Sequence, residues 1–370
     1  MRILIDIGHP AHVHIFRNAA RVLESGGHEI LFTAREKDVA IELLEAYGLP
    51  YVSVGRPMST RIGKLSGVLM FDWRLWRIAR SFRPDLLLSH GSIYAAHVSA
   101  LLRKPHVALE DTGNMEQVAL YRPFTDTILT PSCLKDLGPK QLRHNSYHEL
   151  AYLWPDYFEP KPSVPLRVGL EPGEKYAVIR FVAMTASHDA QLPGMNETDK
   201  IWIVRRLEKV CRVLISSEAP LPQELEPFRI RLEASHIHSL LAFASLYYGQ
   251  SCTMASESAV LGTPAILVTN ARTCYSREQE TKFGLVHQFE ESDAGRIASL
   301  EKSLQLLADP HTAARYARLR RNLLAAKQDM TALLVWFVEN YPESTDGFAS
   351  YCASSIEGST SGQSSGLTFS

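Results

Sequence analysis

Apolar and polar positions along the chain switch repeatedly between two periods. Residues 2–7, "RILIDI", form a nearly unbroken apolar run closed by Gly8, the pattern of a buried strand. Residues 15–27, "IFRNAARVLESGG", repeat apolar positions at helical spacing, with Gly26 and Gly27 as the stop. Further strands are predicted at 28–34, 50–54, 85–90, 106–111 and 126–131, with helices at 38–48, in the stretch ending near Phe82, and from Ser92. Strands separated by helices of this length imply a parallel sheet covered on both faces.

Between residues 139 and 175 the pattern lapses in a proline-rich stretch, which reads as an interdomain linker. Alternation resumes with strands at 176–182, 211–217, 229–232, 246–250 and 265–269 and helices near 197–209, 237–245 and 253–261, while 295–342 reads as mostly helical. From Ser344 the chain is Ser/Gly-rich and almost uncharged, so a disordered tail is expected. The expected division is an N-terminal domain over 1–155, a C-terminal domain over 156–343 and a tail over 344–370. Each domain is expected to be a Rossmann-like, doubly wound α/β sheet. Ligands of such sheets bind beyond the carboxyl ends of the strands, so the expected site is a cleft between the two domains.

Composition narrows the function classes. The 370 residues are 45% apolar and 21% charged, as in soluble globular proteins of more than one domain. A formal net charge of −1 gives no general attraction to nucleic acid, and none is expected as a partner. Cys133, Cys211, Cys252, Cys274 and Cys352 form no C-x-x-C pair, which argues for a reducing compartment and against both a disulfide framework and a structural zinc site. The chain runs from Met1 directly into a strand and holds no apolar run that spans a bilayer, so a cytoplasmic protein without a signal peptide is expected.

Two stretches carry chemistry. "GHPAHVHIF", residues 8–16, spaces His9, His12 and His14 as H-x-x-H-x-H just after the first strand. Three readings fit it: a metal cage drawing on His90, His188 and Asp189, a loop delivering one catalytic base, or a packed helix start. In "LYYGQSCTMASESAVLGTPAILVT", residues 246–269, a strand is followed by a small polar turn, a helix, a Gly stop and a second strand. Ser251, Cys252 and Thr253 sit where unpaired helix N–H groups and the positive dipole end favour an anion, and Glu257 follows one turn later. A plain N-cap at Ser251 and a solvated Glu257 explain the same pattern.

"HSLLAFASLYYGQSCTMASESAVLGTPAI" resembles the C-terminal signature of GT-B glycosyltransferases and non-hydrolysing UDP-sugar 2-epimerases. The resemblance implies that Ser251 and Thr253 hold the donor diphosphate, that Glu257 binds the ribose, and that Gly262-Thr263-Pro264 is the family's "LG-x-P" turn. Cys252 and Thr253 stand where the family has glycines, leaving less room for a pyrophosphate. "ILIDIGHPAHVHIFRN", "LTPSCLKDLGPKQLRHNSYHELAYLWPDYFEP" and "RFVAMTASHDAQ" resemble a prokaryotic family within that superfamily, domain of unknown function 354.

By that likeness His12 corresponds to the GT-B base, Asp111 is its expected orienting carboxylate with Glu110 as fallback, His9 touches substrate and His14 is packed. Arg180 and His188 are expected at the donor, with Asp189 and Ser217-Glu218 in neighbouring loops and a plain N-cap favoured at Gly91-Ser92. No D-x-D motif accompanies a strand, so no metal and no cofactor are expected beyond a UDP-sugar co-substrate. The implied function is sugar transfer from a nucleoside diphosphate to a glycan or lipid-linked acceptor in cell-surface polysaccharide or glycolipid synthesis. Alternatives are a UDP-sugar 2-epimerase and a nucleotide-sugar-binding protein without turnover. Residues 63–84 combine Trp73 and Trp76 with Arg74, Arg77, Arg80 and Arg83. That pattern suits peripheral membrane contact, though a sheet-covering helix explains it as well.

Overall fold

The computed structural model describes residues 1–36, 39–56, 61–182, 195–217 and 220–360, without the side chains of 61–66 and 355–360. The chain divides into two compact units, one formed by 1–157 with 325–370, the other by 158–324.

The first unit is built on seven strands: β1 (Arg2–Ile7), β2 (Glu29–Arg35), β3 (Tyr51–Gly55), β4 (Leu86–His90), β5 (His106–Leu109), β6 (Thr127–Pro131) and β7 (Gln141–His144). Their order is β3-β2-β1-β4-β5-β6-β7, and every pair is parallel. The apolar run of β1 is buried at Ile3, Leu4, Ile5 and Ile7, as expected for a central strand covered on both faces. Crossovers leave β1 on one side to β2 and rejoin it on the other at β4, so the β1/β4 boundary is the topological switch point.

The second unit holds β8 (Tyr176–Phe181), β9 (Arg212–Ser217), β10 (Leu246–Gly249), β11 (Ala265–Val268) and β12 (Val286–Phe289). Their order is β12-β11-β10-β8-β9, again all parallel, with the switch point between β8 and β10. Two doubly wound α/β sheets are therefore present, as the periodicity predicts.

Several expectations change. The first helix spans Pro10–Ser25 and starts well before the predicted Ile15, because His9 caps it and Pro10 is pre-set for its first turn. The stretch read as a linker contains β7, a short polar edge strand that lacks an apolar signature. Residues 229–232 form only an isolated bridge, Ile215 to Arg229. Residues 325–343 belong with the N-terminal unit: Thr331 donates to the Ala151 carbonyl at 2.7 Å and Asn145 donates to Gln328 at 3.1 Å. The expected disordered tail contains a Ser344–Thr360 helix, held by burial of Phe348 and by Tyr351 stacked on Trp336 at 3.8 Å. Residues 361–370 of that tail lie outside the described residues.

Candidate functional site

The H-x-x-H spacing has a local structural meaning. His9 Nδ1 accepts from the Ala11 N–H at 3.2 Å, while His12 Nδ1 accepts from the Gly8 N–H at 3.2 Å. The two imidazoles cap the helix start reciprocally, one reaching forward and one back, in the manner of a capping box. His12 is thus a helix residue rather than a loop residue. With Nδ1 accepting, the neutral ring carries its proton on Nε2. Burial and the neighbouring His90, His9 and Arg35 push the His12 pKa well below the ordinary imidazole value, against a smaller opposing pull from Asp111. His14 is buried against Tyr47 and Tyr152, the packed role expected of it.

Across the switch point His90, the last residue of β4, lies under His12 with ring centroids 4.5 Å apart. Asp111 was expected to orient His12 but is held elsewhere: Oδ1 faces His90 Nε2 at 3.2 Å and Oδ2 faces His148 Nδ1 at 3.1 Å. Its reach is fixed by its place after β5, the strand next to β4, whereas His12 follows β1. Burial raises the Asp111 carboxyl, but the two imidazoles outweigh it and hold it well below the usual carboxylate range. Burial lowers His90, and the Asp111 hydrogen bond and charge reverse this to leave its pKa raised. One ligand atom from each of His90, Asp111 and His148 lies within 4.8 Å of the other two, a spacing open to a metal ion. His148 and His144 escaped sequence reasoning because β7 carries no periodic signal; the histidine spacing in "RHNSYH" was the one available clue.

Glu110 does not serve as the fallback partner. Its Oε1 accepts from the Thr112 N–H, the Thr112 hydroxyl and the Gly113 N–H at 2.7, 2.6 and 3.0 Å, and Oε2 accepts from Tyr121 at 3.0 Å. It ties down the turn after β5. Ser92 caps its helix through Ala95 and donates to buried Asp6 at 2.6 Å, so Gly91-Ser92 is the plain N-cap expected. Arg35, unmarked in the sequence, ends β2 and places its guanidinium against Gly8, where a Cβ would collide with it.

In the second unit, Arg180 near the end of β8 pairs in register with Gly249 at the end of β10. A Cβ at Gly249 would lie 2.6 Å from the Arg180 carbonyl, so the close approach of the two strand ends requires glycine there. Ser251 follows and caps the Cys252–Leu261 helix by accepting from the Met254 N–H at 3.2 Å. The Arg180 backbone and the Ser251-capped helix start, with Thr253 in its first turn, thus lie side by side at the β8/β10 switch point. Arg180 donates to Ser216 at 2.7 Å, which fixes its guanidinium across the β8 and β9 ends. Glu257 is buried on the same helix with Oε1 3.0 Å from His238 Nε2. His188, Asp189 and Glu218 lie outside the described residues.

These strand-end sites occur on a fold found in known proteins. Residues 1–146 match the family model described as protein of unknown function DUF354. The match covers the seven-stranded sheet, His90 and Asp111, and ends before His148. No curated protein matches the chain. Among solved structures, the spinosyn rhamnosyltransferase SpnG complexed with spinosyn aglycone is similar at TM-score 0.59 and 17% identity, over 92% of this chain and 100% of that one. A Listeria monocytogenes protein described as a UDP-N-acetylglucosamine 2-epimerase gives TM-score 0.64 and 13% identity, over 92% and 96%. The MnaA–UDP co-structure from S. aureus gives 0.66 and 11%, also over 92% and 96%. The chain has the fold of GT-B glycosyltransferases and UDP-sugar epimerases. Among the described residues, no helix is long and apolar enough to cross a membrane.

Proposed function

We propose that this chain transfers a sugar from a nucleoside diphosphate donor, UDP-linked, to a glycan or lipid-linked acceptor in cell-surface polysaccharide or glycolipid synthesis. The observation that carries the reading is the pairing of Arg180 with Gly249 beside the Ser251-capped helix start. A guanidinium from the end of β8 and the helix N–H groups after β10, on adjacent strands, suit a diphosphate, with no metal needed to neutralise it. Ser251 and Thr253 would face the phosphates, and Glu257 the ribose. His188 is kept as a further donor contact.

On the acceptor side, His12 is the proposed base and His9 a substrate contact. To take a proton at Nε2, the His12 ring must hold its other proton on Nδ1, which gives up the Gly8 contact. Asp111 would act through His90 rather than on His12 directly. The scattered spacing of the five cysteines, with no C-x-x-C pair, supports a reducing, cytoplasmic setting. The exposed Leu69 and Trp73, with Arg77 over the Trp73 ring at 4.8 Å, support peripheral contact with an anionic membrane face.

A UDP-sugar epimerase is the second reading, favoured by the similarity to the L. monocytogenes protein and by several acid/base groups in one cluster. A thermal-shift panel of nucleoside diphosphates and UDP-sugars, followed by NMR of the mixture, separates the readings. Stabilisation by UDP with acceptor-dependent UDP release is expected; an epimerised sugar without UDP release selects the second reading. Failure of every nucleoside diphosphate to raise the melting temperature overturns both.

A further inference from the structure

We propose that His90, Asp111 and His148 form a binding site for a divalent transition cation of the zinc type, with at least one coordination position left open. The proposal rests on the N-terminal unit alone and is independent of the donor reading. Three separate elements deliver the three groups: the end of β4, the turn after β5 and the segment after β7. Their ligand atoms already lie within 4.8 Å of one another, so side-chain rotations suffice to bring them to metal-bonding distances of about 2.0–2.2 Å.

The donor set selects the class of ion. Two imidazoles and a carboxylate suit zinc, cobalt, iron or manganese in the divalent state, whereas calcium and magnesium require oxygen-rich shells. Three protein ligands are also the number found in open sites, where a water or substrate oxygen completes the shell and becomes more acidic.

The burial of unsatisfied nitrogen points the same way. His148 is 2% exposed and neither ring nitrogen makes a hydrogen bond, although Nδ1 lies 3.1 Å from Asp111 Oδ2. A short nitrogen–oxygen approach without hydrogen-bond alignment is what two ligands of one ion would show. His144, fully buried with both ring nitrogens lacking a hydrogen bond, stands behind it with ring centroids 6.0 Å apart. Buried polar groups without partners cost free energy, and a pair of them beside one carboxylate is a poor arrangement for structure alone. On the other side, the His12 ring covers His90 at 4.5 Å, which places a further imidazole next to the proposed shell.

The test uses the full chain stripped of metal with a chelator and then dialysed. Co2+ serves as the optical probe and Zn2+ as the calorimetric one. The expected result is stoichiometric Co2+ binding with the visible absorption of a low-coordinate site, displaced by Zn2+ and unaffected by excess Mg2+. His148→Ala and Asp111→Asn should weaken binding by at least about a hundredfold, while His311→Ala, on an exposed residue, should leave it unchanged. Circular dichroism shows whether each variant folds, and His90→Gln replaces any that does not. Absence of Co2+ absorption overturns the proposal, as does absorption that persists in the folded ligand variants. Stabilisation by UDP should survive chelation, so failure here is separable from failure of the donor reading.

Discussion

His12 lies on His90 with ring centroids 4.5 Å apart and planes 23° from parallel. The two imidazoles have opposite tendencies: burial and its neighbours drive His12 toward the neutral form, and Asp111 draws His90 toward the charged one. Pushing His12 toward the neutral form keeps two adjacent cations, which would repel, from forming in a buried site. A neutral His12 beside a solvent-facing helix start is what a base for an acceptor hydroxyl requires, once its tautomer is set.

Substitution of His12 tests this role. His12→Ala should lower turnover by about a hundredfold or more while UDP affinity is unchanged. His12→Gln restores a hydrogen-bond donor but no base and should be equally impaired. The comparison is made by steady-state kinetics alongside calorimetric UDP binding. A glutamine variant with wild-type turnover would show that His12 donates rather than accepts and would overturn the base assignment.

The donor residues are separable by ligand. Arg180→Ala should weaken both UDP and inorganic pyrophosphate by about tenfold or more, the loss expected for a hydrogen bond to a charged group. Glu257→Gln should weaken UDP but not pyrophosphate, because only UDP carries the ribose. Equal losses for both ligands in the Glu257 variant would confine Glu257 to its pairing with His238 at 3.0 Å.

Most of the fold was legible because its central strands are apolar throughout and its helices periodic. β1 and the Cys252–Leu261 helix fall where the pattern puts them. The errors occur where local sequence is silent. β7 is polar, so its place at the sheet edge depends on pairing with β6, which no local pattern encodes. The site was legible in part for the same reason. His12 and Asp111 follow apolar strands and were found, while His148 follows β7 and was missed. The expected pairing of Asp111 with His12 failed because strand order, not sequence order, decides which loops meet.

The Arg61–Phe82 helix divides its apolar residues between two surfaces. Phe71, Leu75 and Ala79 are buried in the core, whereas Leu69 and Trp73 are exposed at 73% and 53%. Removing the exposed pair should spare the fold. Wild-type chain is expected to sediment with anionic vesicles and not with zwitterionic ones, and Trp73→Ser with Leu69→Ser to lose that binding without a change in melting temperature. Equal recovery of wild type and variant from the vesicles would overturn the membrane contact.

His106 provides a pH-dependent measure of stability away from the proposed sites. It is fully buried between Ser89 and Thr125, with each ring nitrogen 2.9 Å from a hydroxyl. Thr125 donates its own proton to the Tyr121 carbonyl, so it accepts from His106 Nδ1, and Nε2 accepts from Ser89. The ring is thereby satisfied only when neutral, and burial lowers its pKa to about 3. The unfolded chain binds a proton here below about pH 6.5, and the folded chain does not until about pH 3. Stability from this group is complete above the unfolded value and is lost as pH falls toward the folded one. Between pH 7 and pH 5 the loss should be about 2 kcal/mol. His106→Gln removes the titration, so its unfolding free energy should fall by about 2 kcal/mol less over that interval, although the variant starts from a lower stability. Denaturant unfolding at the two pH values measures the difference. Parallel pH profiles for wild type and variant would mean that His106 is not held neutral in the native state.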